Sequence, residues 1–271
     1  MASIITQVQH TGNTINERKS KQHLPSLISL SLRGARINLD KDTLLELPES
    51  MLVVMFPHGF VLDGQEDSKD RFCIVDFNMD CLLYVLDYFE KAKLNFKSDE
   101  FAQDAYLAHA VVSGIPLNPL LTKQAIVVLR EELEFFLVLD SISPSLKQKS
   151  GEWLVQQNLV FEALLKDDKD ADDNGENRVA EHHLIDMLCH AGFSKKDHWH
   201  HRSTEPNKTS VSSLSLVSLT QASRMAVGQK LIMFWRKPAR KCWWSKSMAD
   251  IDNQLIKLWC RRTWTLELIL L

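Results

Sequence analysis

The chain has 271 residues, 45% of them hydrophobic and 25% charged, with a net charge of −3. That length buries a sizeable core in one or two domains, and the composition excludes fibrous and wholly disordered classes. The longest apolar runs, SMLVVMF and FFLVL, fall far short of the roughly 20 residues that span a bilayer. The ending LELILL carries no lipidation motif, so any membrane residence is expected only through a partner. Five cysteines form an odd count without tight pairing and follow no signal-peptide pattern, so a reduced, cytoplasmic setting is expected.

Charge is unevenly spread. Residues 221–271 carry ten Lys/Arg against three Asp/Glu, while the rest of the chain is strongly acidic. Five of the seven tryptophans also lie between Trp235 and Trp264. Such asymmetry points to an interaction surface at one end.

In chain order, residues 1–25 are polar and unpatterned and read as a disordered arm. ISLSLRGARINL alternates apolar and polar residues around Arg33-Gly34, which predicts a hairpin. DKDTLLELPESMLVVMFP predicts a short helix, a break at Pro48 and a second helix from Ser50. RFCIVDF predicts a strand. NMDCLLYVLDYFEKAKLNF then places Cys81, Leu82, Val85, Leu86 and Phe89 at helical spacing behind an Asn78 cap. LLTKQAIVVLREELEFFLV reads as another amphipathic helix capped by Thr122.

Those elements resemble the BTB/POZ fold, and more narrowly its potassium-channel tetramerisation branch. Thr43, Leu44, Pro48, Ser50 and Phe56 match that branch's signature after the first hairpin. Asp76, Tyr84, Asp87 and Tyr88 fall in register with its later helix segment. Two positions depart from the pattern: Arg33-Gly34 replaces a paired glycine, and Asn78-Met79 ends a segment that usually closes on proline. The resemblance covers residues 26–140 and implies self-association through this unit.

Beyond it, KQKSGEWLVQQNLVFEALLK predicts a helix, residues 166–177 form an acidic linker, and a histidine-bearing helix follows. SVSSLSLVSLT predicts a strand; KLIMFWRKPARKCWW reads as a strand, a proline turn and a second strand; IKLWCRRTWTLELILL is a final alternating run. Residues 150–271 are therefore expected to form a second α+β domain on a small antiparallel sheet, giving an α+β chain overall.

Six of the ten histidines lie within 182–201. His182, Asp186 and Cys189 share one side of a helix, and His183 with His190, or His198 with His200, can in principle add ligands. No close-spaced second thiol accompanies them. Val179, Leu184, Met187, Leu188 and Ala191 make an apolar stripe ending at a capping Gly192, so a packed structural helix is the favoured reading. Asp170, Asp172, Asn174, Gly175 and Glu181 match the spacing of a calcium loop, but Asn177 and Arg178 occupy positions that should be apolar and oxygen-donating. A solvated linker fits better, and no metal or other cofactor is expected. No GxSxG, P-loop or GxGxxG motif is present either.

The basic and aromatic block contains Trp235, Arg236, Lys237, Arg240, Lys241, Trp243, Trp244, Trp259, Arg261, Arg262 and Trp264, of which Arg236, Lys237, Arg240, Lys241, Trp243, Trp244, Arg261 and Arg262 are the candidate partner contacts. Three readings are open: a sheet core with Arg/Lys stems over tryptophan rings, a contact for a protein partner, or a single-stranded nucleic-acid groove. Alternation sets Trp259 with Arg261 on one face and Cys260 with Arg262 on the other. The nucleic-acid reading is the weakest.

AEHHLIDMLCHAGF, FWRKPARKCWW and KLWCRRTWTLEL, following such an N-terminal unit, are similar to the fungal growth-regulation and general-stress-response adaptors of the yeast "whisky" type. That resemblance implies a non-enzymatic adaptor. It would bind a haloacid-dehalogenase-type phosphatase at the plasma-membrane periphery, promote stress response and growth arrest, and restrain TOR signalling under nutrient limitation. The alternatives are a cullin-type ubiquitin-ligase adaptor and a metal-dependent enzyme or nucleic-acid binder centred on the second half. Incomplete ligand sets predict that the protein purifies without stoichiometric zinc or calcium. Elemental analysis showing about one zinc per chain, with unfolding on chelation, would contradict this.

Overall fold

The computed structural model describes residues 26–57, 59–60, 72–97, 119–139, 141–157, 185–194, 201–205, 209–220, 224–234 and 239–271. The arm at 1–25, the acidic linker at 166–177 with its calcium-like loop, and His182, His183, His198 and His200 lie outside the described residues. No helix among the described residues is long and apolar enough to cross a membrane.

The first hairpin joins β1 (Leu27–Leu32) to β2 (Ala35–Asp40). Its turn residues Arg33 and Gly34 both take positive φ, the backbone twist that tight hairpins need. Helices α1 (Lys41–Leu45) and α2 (Glu49–Met55) follow, separated at Pro48 as expected. Strand β3 (Cys73–Val75) then pairs parallel to β1, completing a three-stranded sheet of order β2-β1-β3. Helix α3 (Met79–Lys97) starts where the Asn78 side chain accepts the Cys81 N–H at 3.0 Å. Its apolar stripe of Cys81, Leu82, Val85, Phe89 and Ala92 packs into the same core as Ile28, Leu30 and Leu32 of β1.

One short turn of helix, α4 (Pro119–Thr122), leads not into a helix but into the thirteen-residue strand β4 (Ala125–Leu137). The amphipathic helix expected here is thus overturned. Residues Ala125–Arg130 are buried without alternation, because other elements cover both faces of the strand. A strand buried on both faces reads as an unbroken apolar run. Helix α5 (Pro144–Gln157), the helical segment at 185–190 (α6), β5 (His201–Glu205) and β6 (Ser210–Ser218) come next. A π-turn at Arg224–Gly228 runs into α7 (Gln229–Phe234). Where a strand was expected from Lys230 onward, residues 230–234 are therefore helical. Leu231 packs beside Val227 in a shared core. The long hairpin β7 (Ala239–Ile251) and β8 (Gln254–Leu270) closes the described chain.

These strands form a five-stranded antiparallel sheet of order β5-β6-β4-β8-β7. Central β4 comes from residues 26–140, which the sequence assigned to the first unit, yet both its neighbours come from residues 150–271. One sheet therefore carries strands from both sequence units. On one face of β4, Ile126 and Val128 join the core of α3 and the small sheet. On the other, Val127 and Leu129 pack with Leu188, Ala191 and Trp264, and Leu133, Phe135 and Leu137 pack with Leu154 of α5.

Polar contacts fasten the small sheet's helices to the large sheet. Glu267 of β8 sits at the N-terminus of α2, its carboxylate accepting the N–H groups of Glu49 at 2.7 Å and Ser50 at 3.1 Å. Free N–H groups and the helix dipole both favour an anion there. Buried Arg130 donates to the Ser50 carbonyl of the same turn and also pairs with Glu132. The Tyr88 hydroxyl accepts the Ser218 N–H at 2.8 Å. Replacing Glu267 with Gln should lower stability by about 1 kcal/mol, since two amide bonds lose their charged acceptor. Denaturant unfolding would measure this, and an unchanged midpoint would show that the cap contributes nothing.

Candidate protein-docking site

The face of β4 that carries α2 and α3 at one end is exposed at the other. There the paired rows run across three strands. Glu134 pairs with Arg261 and Arg261 with Trp244; Phe136 pairs with Trp259 and Trp259 with Lys246; Lys257 pairs with Met248. Alternation sends all these side chains to one face. Trp244 is 60% exposed, and Phe136 and Met248 are half exposed. The surface is ordered by its own contacts. Phe136 and Trp244 stack with ring centres 6.4 Å apart. The Arg261 guanidinium lies 5.9 Å from the Trp244 ring centre and pairs with Glu134 at 2.5 Å. Lys246 sits 4.8 Å over the Trp259 ring. The Glu134 carboxylate, as hydrogen-bond partner and charge, raises the Arg261 pKa above its ordinary value. The result is a basic, aromatic plate on a rigid sheet, which suits a protein contact enriched in Trp, Phe, Met and Arg.

Of the basic and aromatic residues singled out in the sequence, Trp244 and Arg261 lie on this plate. In backbone register Arg240 pairs with Thr265, Lys241 with Trp264 and Trp243 with Arg262. Arg236 and Lys237 lie outside the described residues. Arg262 requires a correction. It is 4% exposed and pairs with Glu131, which is wholly buried. The same carboxylate accepts Arg202 at 3.3 Å and the Trp264 indole N–H at 2.7 Å. Arg262 is thus part of the sheet's interior, because one residue of alternation separates it from exposed Arg261. A small cavity beside it is lined by Leu133, Trp153, Arg202, Ser245 and Ser247 among others.

Trp259, which the sequence set on one face with Arg261, lies on the plate as well, whereas Phe136, Lys246 and Met248 belong to it but were not among the singled-out residues. A signal for them existed. Asp252 and Asn253 both take positive φ in a two-residue turn that fixes the register of β7 against β8. Reading that register from Asp252-Asn253 aligns Lys246 with Trp259.

The residues of the BTB signature have structural placements. Leu44 and Ser50 are buried, and Phe56 packs against the first core. Thr43 lies within α1, Pro48 precedes α2, and Asp76 pairs with Arg33 at 2.9 Å. Asp87 holds Lys91 one helical turn on. Tyr84 lies between Tyr88 and His201, its ring stacked on the histidine at 6.3 Å. Burial pushes the Tyr84 phenol up, and burial also holds His201 below its ordinary value. Cys81, pushed up to about 12 by burial, is a weakly ionising thiol beside Ser203 at 3.8 Å.

On α6, Ile185, Leu188 and Ala191 are buried, while the His190 ring nitrogen contacts the Asp186 carbonyl at 2.5 Å. Gly192, at φ +108, ends the segment; Phe193 N–H reaches back to the Leu188 carbonyl at 3.0 Å. That is the capping pattern expected from the sequence. A Cβ on Gly192 would meet Val217 at 3.0 Å. Among the described residues no group of three His, Cys, Asp or Glu is placed to hold a metal ion.

No family model matches the chain. It is 33% identical over 300 residues to a WHI2-like protein of Schizosaccharomyces pombe, covering 99% of this chain and 96% of that protein. Similarity to a growth regulation protein of Saccharomyces cerevisiae is 26% over 312 residues, covering 93% of this chain and 63% of the relative. The chain therefore spans just under two thirds of that protein's length. A further Schizosaccharomyces pombe protein is 27% identical over 278 residues, covering 98% and 94% of the two chains.

The interior and the plate predict opposite mutational behaviour. Glu131→Gln leaves Arg202 and Arg262 without their shared carboxylate and should cost about 3–5 kcal/mol. Lys246→Glu, on the exposed face, should cost within about 1 kcal/mol. Chemical denaturation of both variants checks this; equal losses would mean that the plate is part of the core.

Proposed function

Because the chain belongs to the WHI2-like family, we propose that it is a growth regulator that works by binding other proteins and catalyses no reaction itself. In this reading it docks a haloacid-dehalogenase-type protein phosphatase associated with the plasma membrane. Through that partner it promotes the general stress response and growth arrest, and restrains TOR signalling when nutrients run short. It works in the cytoplasm and reaches the membrane periphery only through the partner. The observation that carries the reading is similarity along nearly the whole chain to a WHI2-like protein, joined by the growth-regulating relative.

The fold supports a binding role in two ways. We assign the first unit to the BTB/POZ type of the tetramerisation branch. Its hairpin, helix pair, parallel β3 and capped α3 occur in the order that assignment needs. The plate of Trp244, Arg261, Phe136 and Lys246 offers the second contact. It shares a sheet face with the α2 attachment, so one partner can touch both units. A net-basic segment then meets an acidic partner surface, with attraction that salt screens.

Substituting Lys246→Glu together with Lys257→Glu, both exposed on the plate, should weaken partner binding roughly tenfold, with the larger effect at low salt, and leave the fold intact. Affinity capture of the intact chain from a fungal host, followed by mass spectrometry, should recover the phosphatase. Deletion should leave stress transcription low. Capture of no phosphatase, with normal stress transcription after deletion, would overturn the proposal.

A further inference from the structure

Strand β7 is the edge of the five-stranded sheet. All thirteen residues, Ala239–Ile251, pair in unbroken register with β8, so no bulge twists the edge away. The strand contains neither proline nor glycine. Among the described residues no strand pairs its other side. A long, regular edge of this kind is a template for another strand, and proteins that avoid such pairing normally interrupt the edge. The remaining protection here is charge, supplied by Arg240, Lys241 and Lys246.

Charge does not repel every arrangement. We propose that β7 pairs antiparallel with β7 of a second copy of this chain, centred on Ser245, and so joins two five-stranded sheets into one of ten. Register selects this arrangement. A two-fold axis normal to the sheet keeps exposed residues on the exposed face, so even-numbered residues must oppose even-numbered ones. Centring on Ser245 sets Arg240 opposite Asp250 of the second copy, and Trp244 opposite its Lys246. Each of those pairs occurs twice. By register Arg240 and Lys246 thus meet a carboxylate and an indole-bearing residue, and lysine already lies over such a ring within one chain, Lys246 on Trp259. Neighbouring registers lose this match. Centring on Lys246 opposes two lysines, and centring on Trp244 sets Arg240 against Met248. An acidic foreign strand, by contrast, would meet Asp250 on the same face. The inference goes beyond the adaptor reading and does not rest on it.

Sedimentation velocity of the full chain at micromolar concentration should show a dimer. Asp250→Arg turns both outer pairs from attractive to repulsive and should weaken dimerisation roughly tenfold or more. Adding Arg240→Asp to that variant should restore it. Independently, Ser245→Cys in a Cys242→Ser, Cys260→Ala background, which removes the thiol paired with Ser245 within the chain, faces its own copy at the axis and should give a disulfide-linked dimer on mild oxidation. A monomeric wild type overturns the proposal. So does a dimer that Asp250→Arg leaves unchanged, or one that Ser245→Cys fails to capture. If Asp250→Arg proves unfolded by circular dichroism, the cysteine variant decides alone.

Discussion

Double-sided burial of β4 is the constraint on which the rest of the structure depends. A strand with α3 and the small sheet on one face and α5, α6 and Trp264 on the other cannot shift register by one residue. Such a slip would exchange Ile126 and Val128 for Val127 and Leu129 and carry Glu131 to the wrong face. Glu131 makes the cost of slippage large. Its carboxylate is wholly buried and answers two arginines and an indole N–H at once. Moving it would strand charges in a low-dielectric interior. The pairing of β4 with β8 therefore fixes where Arg261 and Trp259 emerge, and so fixes the docking plate.

That constraint also ties the two sequence units together. Glu267 follows from the same register, since it lies opposite Val128 on the face that α2 approaches. A carboxylate at a helix start and an arginine on the carbonyl of Ser50 hold α2 from β8 and β4. The first unit is thereby oriented toward the plate by polar contacts as well as by shared apolar packing. A protein that brings partners together benefits from fixed geometry between its contact surfaces, because less freedom is lost on binding.

Local signals were legible where local physics decides. Arg33-Gly34 foretold the hairpin, Pro48 the helix break, Asn78 the start of α3 and Gly192 the end of α6. The strand at 125–137 was not legible, because Ile126–Leu129 is apolar throughout and Glu131 to Glu134 supplies charge at a spacing that a helix also produces. Only the partners on both faces, remote in sequence, decide for a strand. The segment Gln229–Phe234 misled for the same reason in reverse: six apolar-rich residues fit either period. In the tryptophan block, alternation separated Arg261 from Arg262 correctly. It did not say which was outside, since that depends on α5 and Glu131. Whether the plate binds a partner was never a matter of periodicity; it rests on what leaves Trp244 uncovered.

The pairing of Ala125 with Leu270 has a consequence for biogenesis. At roughly 5–20 residues per second, the ribosome needs several seconds or more between delivering β4 and completing β8. Throughout that interval β4, which opens on the apolar run Ala125–Leu129, lacks the neighbour on one side. Contacts so distant in sequence also close slowly after synthesis. The nascent chain is consequently a natural client for chaperones that shield extended apolar segments, and its cellular abundance should respond to their supply.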